Sequence, residues 1–130
     1  DWASHAIEHE LSAIYDIAHG AGLAVITPAW MKYVYKTNLP MFVQFAVNVM
    51  GVEGSLREPE KIVLDGIKRL EEFYVKMGLP IRLSDLKIDD TNLELMARKA
   101  TGENRGKEIT LGGLKKLNKD DVLAIYKLAL

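Results

Sequence analysis

Apolar positions recur at three- and four-residue spacing along most of this chain, and no strand-length run alternates apolar with polar. Within residues 3–15, Ile7, Leu11 and Ile14 fall on one side and predict a helix. The segment His19-Gly20-Ala21-Gly22 interrupts that pattern. A second helix is expected from about Gly22 to Tyr35, with Pro28 marking a start or a kink. The small residues Gly20, Ala21, Gly22 and Ala24 would let something approach the backbone closely. Residues 40–49 are apolar enough for a strand, but their flanks and the helical context favour a helix.

The clearest element opens at Glu58-Pro59 and closes at Gly78-Leu79-Pro80. Its core stripe is Val63, Ile67, Leu70, Tyr74 and Met77, and Lys61/Asp65 and Lys68/Glu72 are placed to pair on the other side. Leu83-Ser84-Asp85-Leu86 reads as a loop. A shorter helix follows from about Thr91 to Ala100, with Leu93, Met96 and Ala97 inward, and residues 101–117 are irregular. Asn118 caps the last helix, and Asp120 and Asp121 complement its positive end. Val122, Leu123, Ile125, Tyr126 and Leu128 supply its apolar positions. The expectation is one all-α domain over residues 1–130.

Composition narrows the partners. With 17 basic and 18 acidic residues the net charge is -1, which leaves no electrostatic footprint for nucleic acid and no polybasic membrane anchor. Lys32, Lys36, Gln44 and Asn48 cut the longest apolar stretches, so no membrane span is predicted. The absence of cysteine excludes disulfides, thiolate ligands and thiol nucleophiles, and a cytoplasmic location is expected. The chain opens on Asp1-Trp2 without an initiator methionine, so an upstream portion of roughly two hundred residues is expected from ordinary domain sizes.

The chemistry concentrates in three histidines, His5, His9 and His19. Imidazole is the commonest protein ligand for a catalytic transition metal. On a helix His5 and His9 lie one turn apart, within reach of one ion. His5-Ala6-Ile7-Glu8-His9 fits the H-x-x-E-H pattern of inverted zinc peptidases, with Glu8 as potential base. A straight helix would hold His19 about 21 Å from His5. A reversal between Asp16 and Gly20 would bring it back. A plain surface pair, or a buried hydrogen-bonded pair, is the structural alternative. Glu8 and Glu10 flank His9 and are expected at solvent, with ring orientation as the other role. Trp30 and Met31 are expected in the core rather than in a substrate channel. The loop at residues 101–107 carries phosphate-friendly residue types without P-loop order.

Longer segments carry a family likeness. Trp2-Ala3-Ser4-His5-Ala6-Ile7-Glu8-His9-Glu10-Leu11-Ser12-Ala13, then Asp16-Ile17-Ala18-His19-Gly20-Ala21-Gly22-Leu23-Ala24, resembles the signature of the iron-containing alcohol dehydrogenases, their butanol-dehydrogenase branch above all. The likeness continues in Pro28-Ala29-Trp30-Met31-Lys32-Tyr33, in residues 78–86 and in Leu117-Asn118-Lys119-Asp120-Asp121-Val122, and so covers essentially the whole chain. It implies the helical C-terminal domain of a two-domain enzyme, whose N-terminal α/β domain binds NAD(H) or NADP(H). In that family Fe²⁺, or zinc in some members, is held by an aspartate and three histidines. The aspartate and the first histidine would lie upstream of this chain. By position His5 and His19 would be the last two metal ligands, and His9 a catalytic histidine facing nicotinamide and substrate. The implied reaction is metal-assisted hydride transfer between nicotinamide and a small alcohol or aldehyde, in a homodimer. Two other readings stand beside it. A zinc peptidase would need a further ligand such as Glu53, Glu58 or Glu60 and would leave His19 without a role. A helical interaction module would have no chemistry.

Overall fold

Helix α1, Ala3–Tyr15, puts Ala3, Ile7 and Leu11 into the core and ends at Asp16, whose backbone is left-handed at φ 51°. The computed structural model describes all 130 residues. Past Asp16 the chain reverses through Ile17 and the extended Ala18 and enters α2, His19–Val34. That helix starts three residues before the expected Gly22. No side chain caps it, and Gly20 and Gly22 sit in its first turn rather than ahead of it. Helix α2 is the spine of the fold and packs against α1 and against the later helices at Pro59–Lys76 and Lys119–Leu128. Val25, Ile26, Ala29, Met31 and Val34 are buried along it, and Pro28 is buried inside it rather than at its start. Trp30 packs against the core and against Phe42, at 6.2 Å between rings, so Trp30 and Met31 are core residues as expected.

A single 3₁₀ turn, Tyr35–Asn38, leads into α3, Leu39–Asn48, where Pro40 sits in the first turn and the Asn38 side chain accepts from the Met41 N–H at 3.4 Å. The apolar run at 40–49 is therefore a helix. It crosses α4, Pro59–Lys76, closely enough that a β-carbon on Gly66 would stand 2.5 Å from that of Ala46. Val63 and Ile67 are buried as the stripe predicts, but Met77 is 57% exposed because α4 stops one residue before it. The expected Lys61/Asp65 and Lys68/Glu72 pairs do not form. Asp65 is taken by Arg57, which holds its carboxyl below the usual range, and Lys61 lies near Glu58 at 3.8 Å.

Leu83–Leu86 is a 3₁₀ turn rather than a loop, with Leu83 buried and its N–H donating to the Ala129 carbonyl at 2.7 Å. Helix α5, Leu93–Ala100, buries Leu93, Met96 and Ala97. The irregular stretch after it contains a short turn at Glu103–Arg105 and a two-bond pairing of Leu111 with Leu117, at 2.9 and 2.7 Å. The last helix, α6, is Lys119–Leu128. Its cap is reciprocal: Asp121 N–H donates to the Asn118 side chain at 3.0 Å, and Asn118 N–H to Asp121 at 2.9 Å. Val122, Ile125 and Tyr126 are buried, but Leu128 in the last turn is 43% exposed. No regular strand forms, and no helix is long and apolar enough to cross a membrane.

Asp121 has a second duty, accepting the hydroxyl proton of Tyr33 on α2. That hydrogen bond, then desolvation, then the negative charges of Asp121 and Asp120 push the Tyr33 phenol up to about 12. An unfolded tyrosine titrates near 10, so the pair's contribution is fully present below that pH and is lost as pH rises through about 12. The difference in melting temperature between wild type and Tyr33→Phe is therefore expected to be largest near pH 9 and to shrink towards pH 12. A difference that stays constant over that range would show that ionisation of this pair is not linked to stability.

Candidate functional site

The reversal at Asp16–Ala18 lays the start of α2 beside α1, and all three histidines meet there. His5 Nδ1 lies 3.1 Å from His19 Nε2. The rings of His5 and His9 each have their centroid 5.2 Å from that of His19. His9 and His19 are exposed and His5 is half-buried, so the cluster forms an open rim. Trp2, 76% exposed, stands edge-on to His5 at 4.9 Å between rings.

Helix α1 is fastened at its start and near its middle. Asp1 accepts from the Ala3 N–H at 2.8 Å and from the N–H groups of Gly113 and Leu114 at 3.0 and 2.8 Å, which ties the start of α1 to the turn before α6. Further along, the Tyr126 hydroxyl donates to the Ile7 carbonyl at 2.6 Å inside the core. Burial, and then the negative charges of Glu10 and Glu8, push that phenol well above its usual range, so it stays protonated as the donor. His5 therefore sits between two tertiary anchors on a rigid helix.

The carboxylates beside His9 are not at solvent as expected. Glu10 is half-buried and lies 3.4 Å from Lys99 on α5. Glu8 has 0% exposure, with one carboxylate oxygen on His19 Nδ1 and the other accepting from the Ser12 hydroxyl. The reason is helical spacing: Glu8 lies between Ile7 and Leu11 on the buried side of α1 and faces the first turn of α2. Gly22 makes that possible, since a β-carbon there would stand 2.3 Å from a Glu8 oxygen. The small residues at the start of α2 thus admit a close approach, and what approaches is the Glu8 carboxylate. Sequence reasoning placed Glu8 at solvent; the signal that finds it is its helical phase together with Gly22.

Two ligand groupings can be drawn. Glu8, His9 and His19 each offer a ligand atom within 4.8 Å of the others. That grouping spends Glu8 on the ion, although its carboxylate already holds His19 Nδ1 and has no exposed surface. The other uses His19 Nε2 and His5 Nδ1. A single proton can bridge two imidazole nitrogens at 3.1 Å, and so can a cation. With metal–nitrogen bonds of about 2.0–2.1 Å, adjacent ligands stand about 3.0 Å apart in an octahedral site and about 3.3 Å in a tetrahedral one. The observed spacing suits a divalent metal. A peptidase site fares worse, because its base must reach water and Glu8 does not.

Relatives decide the family. The whole chain, residues 1–130, matches the family described as Fe-containing alcohol dehydrogenase family, C-terminal. The chain belongs to the iron-containing alcohol dehydrogenases. Within that family it is 43% identical over 130 residues to the probable NADH-dependent butanol dehydrogenase 1 of Bacillus subtilis, covering 100% of this chain and 32% of the relative. It is 40% identical to NADH-dependent butanol dehydrogenase A of Clostridium acetobutylicum, covering 97% of this chain and 32% of that protein. Among solved structures it superposes on NADH-dependent butanol dehydrogenase A of Thermotoga maritima with a TM-score of 0.89 and 41% identity, over 99% of this chain and 33% of that one. The aldehyde reductase YqhD of Escherichia coli gives a TM-score of 0.90 at 26% identity, over 100% of this chain and 33% of that one. The chain therefore spans about a third of the length of these relatives. The iron-containing alcohol dehydrogenase C-terminal fold is the all-α architecture described above.

Proposed function

We propose that this chain is the metal-holding C-terminal domain of an NAD(P)-dependent alcohol dehydrogenase or aldehyde reductase acting on a small primary alcohol or aldehyde. The observation that carries the reading is the convergence of His5 Nδ1 and His19 Nε2 at 3.1 Å on an open rim, in a chain of this family. His5 and His19 would hold Fe²⁺ or Zn²⁺, with an aspartate and a further histidine supplied from upstream in the same protein. An N-terminal domain of that protein would bind NAD(H) or NADP(H). A divalent metal bound there supplies Lewis acidity towards an alcohol or aldehyde oxygen.

The chain's own residues do the rest. Helix α1, pinned at Asp1 and at Ile7, holds His5 in a fixed direction. Glu8 holds the His19 ring. His9, exposed and one turn beyond His5, presents an imidazole to the space over the pair, where it can hold or pass a proton beside substrate and nicotinamide. Its likeness to NADH-dependent butanol dehydrogenases favours NADH and a short alcohol such as butanol. A cytoplasmic homodimer is the assembly proposed with this reading.

The test is metal removal from the full-length protein. Chelation followed by gel filtration is expected to abolish nicotinamide-dependent oxidation of butanol, and added Fe²⁺ or Zn²⁺ to restore it. Full activity in protein shown to be metal-free would refute the reading.

A further inference from the structure

Glu8 is the one buried carboxylate residue of the chain, and it is not among the groups proposed above to bind the metal directly. A buried carboxylate is costly unless it is paired and hydrogen-bonded. Both of its oxygens are engaged, one on His19 Nδ1 and one by the Ser12 hydroxyl, which also stands 3.1 Å from the Ile17 carbonyl in the reversal. The surrounding backbone is shaped for it. A β-carbon on Gly22 would lie 2.3 Å from Glu8 Oε1, 2.5 Å from its Cγ and 2.7 Å from its Cδ, so any residue but glycine there would collide with the carboxylate.

We propose that Glu8 is a positioning residue, which accepts the His19 Nδ1 proton and thereby turns the Nε2 lone pair towards His5, with Gly22 as the space that seats it. A carboxylate on the outer nitrogen of a metal-binding histidine fixes its tautomer and ring direction and raises its basicity. Helix α1 then contributes twice to the site, through His5 directly and through Glu8 one turn later by way of His19. The pairing also explains why α2 begins at His19 without a capping side chain: the Glu8–His19 contact fixes the start of that helix from outside it. Glu8 is neither a base in contact with water nor a ligand. It has no exposed surface, and a shared ion on Glu8 and His19 Nδ1 would leave His19 Nε2 unused beside His5.

This inference rests on His5 and His19 holding the metal, and the experiment separates the two. Zn²⁺ affinity of the full-length protein is measured by competition with a chelating dye for wild type, His19→Ala, Glu8→Gln, Glu8→Ala, Gly22→Ala and the double variant Glu8→Ala with Gly22→Ala. Thermal unfolding of each variant without metal reports folding. Glu8→Ala is expected to weaken Zn²⁺ binding roughly tenfold to a hundredfold, with Glu8→Gln recovering most of the loss because its amide oxygen still accepts from Nδ1. Gly22→Ala, which leaves every polar group in place, is expected to weaken binding similarly. The double variant is expected to bind no worse than Glu8→Ala, since the methyl group no longer meets a carboxylate. Wild-type affinity in Glu8→Ala overturns the proposal. So does complete loss of Zn²⁺ in both Glu8 variants, which would make Glu8 a ligand, and so does strict additivity of Gly22→Ala with Glu8→Ala. Retention of Zn²⁺ by His19→Ala refutes the underlying site reading instead. Should Glu8→Ala fail to fold, Glu8→Gln and Gly22→Ala still decide the matter: wild-type affinity in Gly22→Ala would overturn it.

Discussion

Alanine in place of His19 is expected to strip the metal from the full-length protein, whereas alanine in place of His9 leaves it bound. The difference follows from where the nitrogens point. His19 Nε2 lies 3.1 Å from His5 Nδ1, and its other nitrogen is held by a buried carboxylate. The His9 ring is as far from His19 as the His5 ring is, 5.2 Å between centroids, but only His5 and His19 bring ring nitrogens to hydrogen-bond distance. Loss of His19 would remove one of the two proposed ligands and strand Glu8 in the protein interior without its imidazole partner. The fall in metal affinity should exceed the roughly hundredfold upper range for outer partners. Metal per chain, measured by mass spectrometry after dialysis, checks this. His9→Ala is expected to keep metal and lose turnover. The reverse pattern, with metal lost at His9 and retained at His19, would favour an H-x-x-E-H site.

The second large effect is on stability. Tyr126 is fully buried on α6 and donates to the Ile7 carbonyl on α1, across most of the chain length. Tyr126→Ala empties a large aromatic volume and is expected to cost about 3–5 kcal/mol. Tyr126→Phe loses only the hydrogen bond and should cost about 0.5–1.5 kcal/mol. Urea unfolding measures both. Because Ile7 sits between His5 and Glu8, the alanine variant should also weaken metal binding. A loss below about 1 kcal/mol for alanine would mean that α6 does not brace α1 as described.

Local rules carried much of this in the sequence. Pro59 and Gly78 bracket α4, and Asn118 with Asp121 announces the cap of α6, because those signals act within one turn. The three histidines were legible as a constellation, and their convergence needed only the reversal at Asp16. Non-local features were not legible. Helix α2 begins at His19 because the fold holds its first turn against Glu8, where glycines read locally as breakers. Leu83 is buried by a bond to Ala129, 46 residues away, which no local pattern encodes. Glu8 looked solvated because carboxylates usually are; its partners lie across a chain reversal.

The most direct measurement is anomalous X-ray diffraction at the iron or zinc edge from crystals of the full-length, metal-loaded protein. A single anomalous peak is expected about 2.0–2.2 Å from one ring nitrogen each of His5 and His19, with Glu8 still on His19 Nδ1 and His9 beside the metal without touching it. A peak bonded to Glu8 or His9, or one that leaves His5 or His19 out, would contradict this.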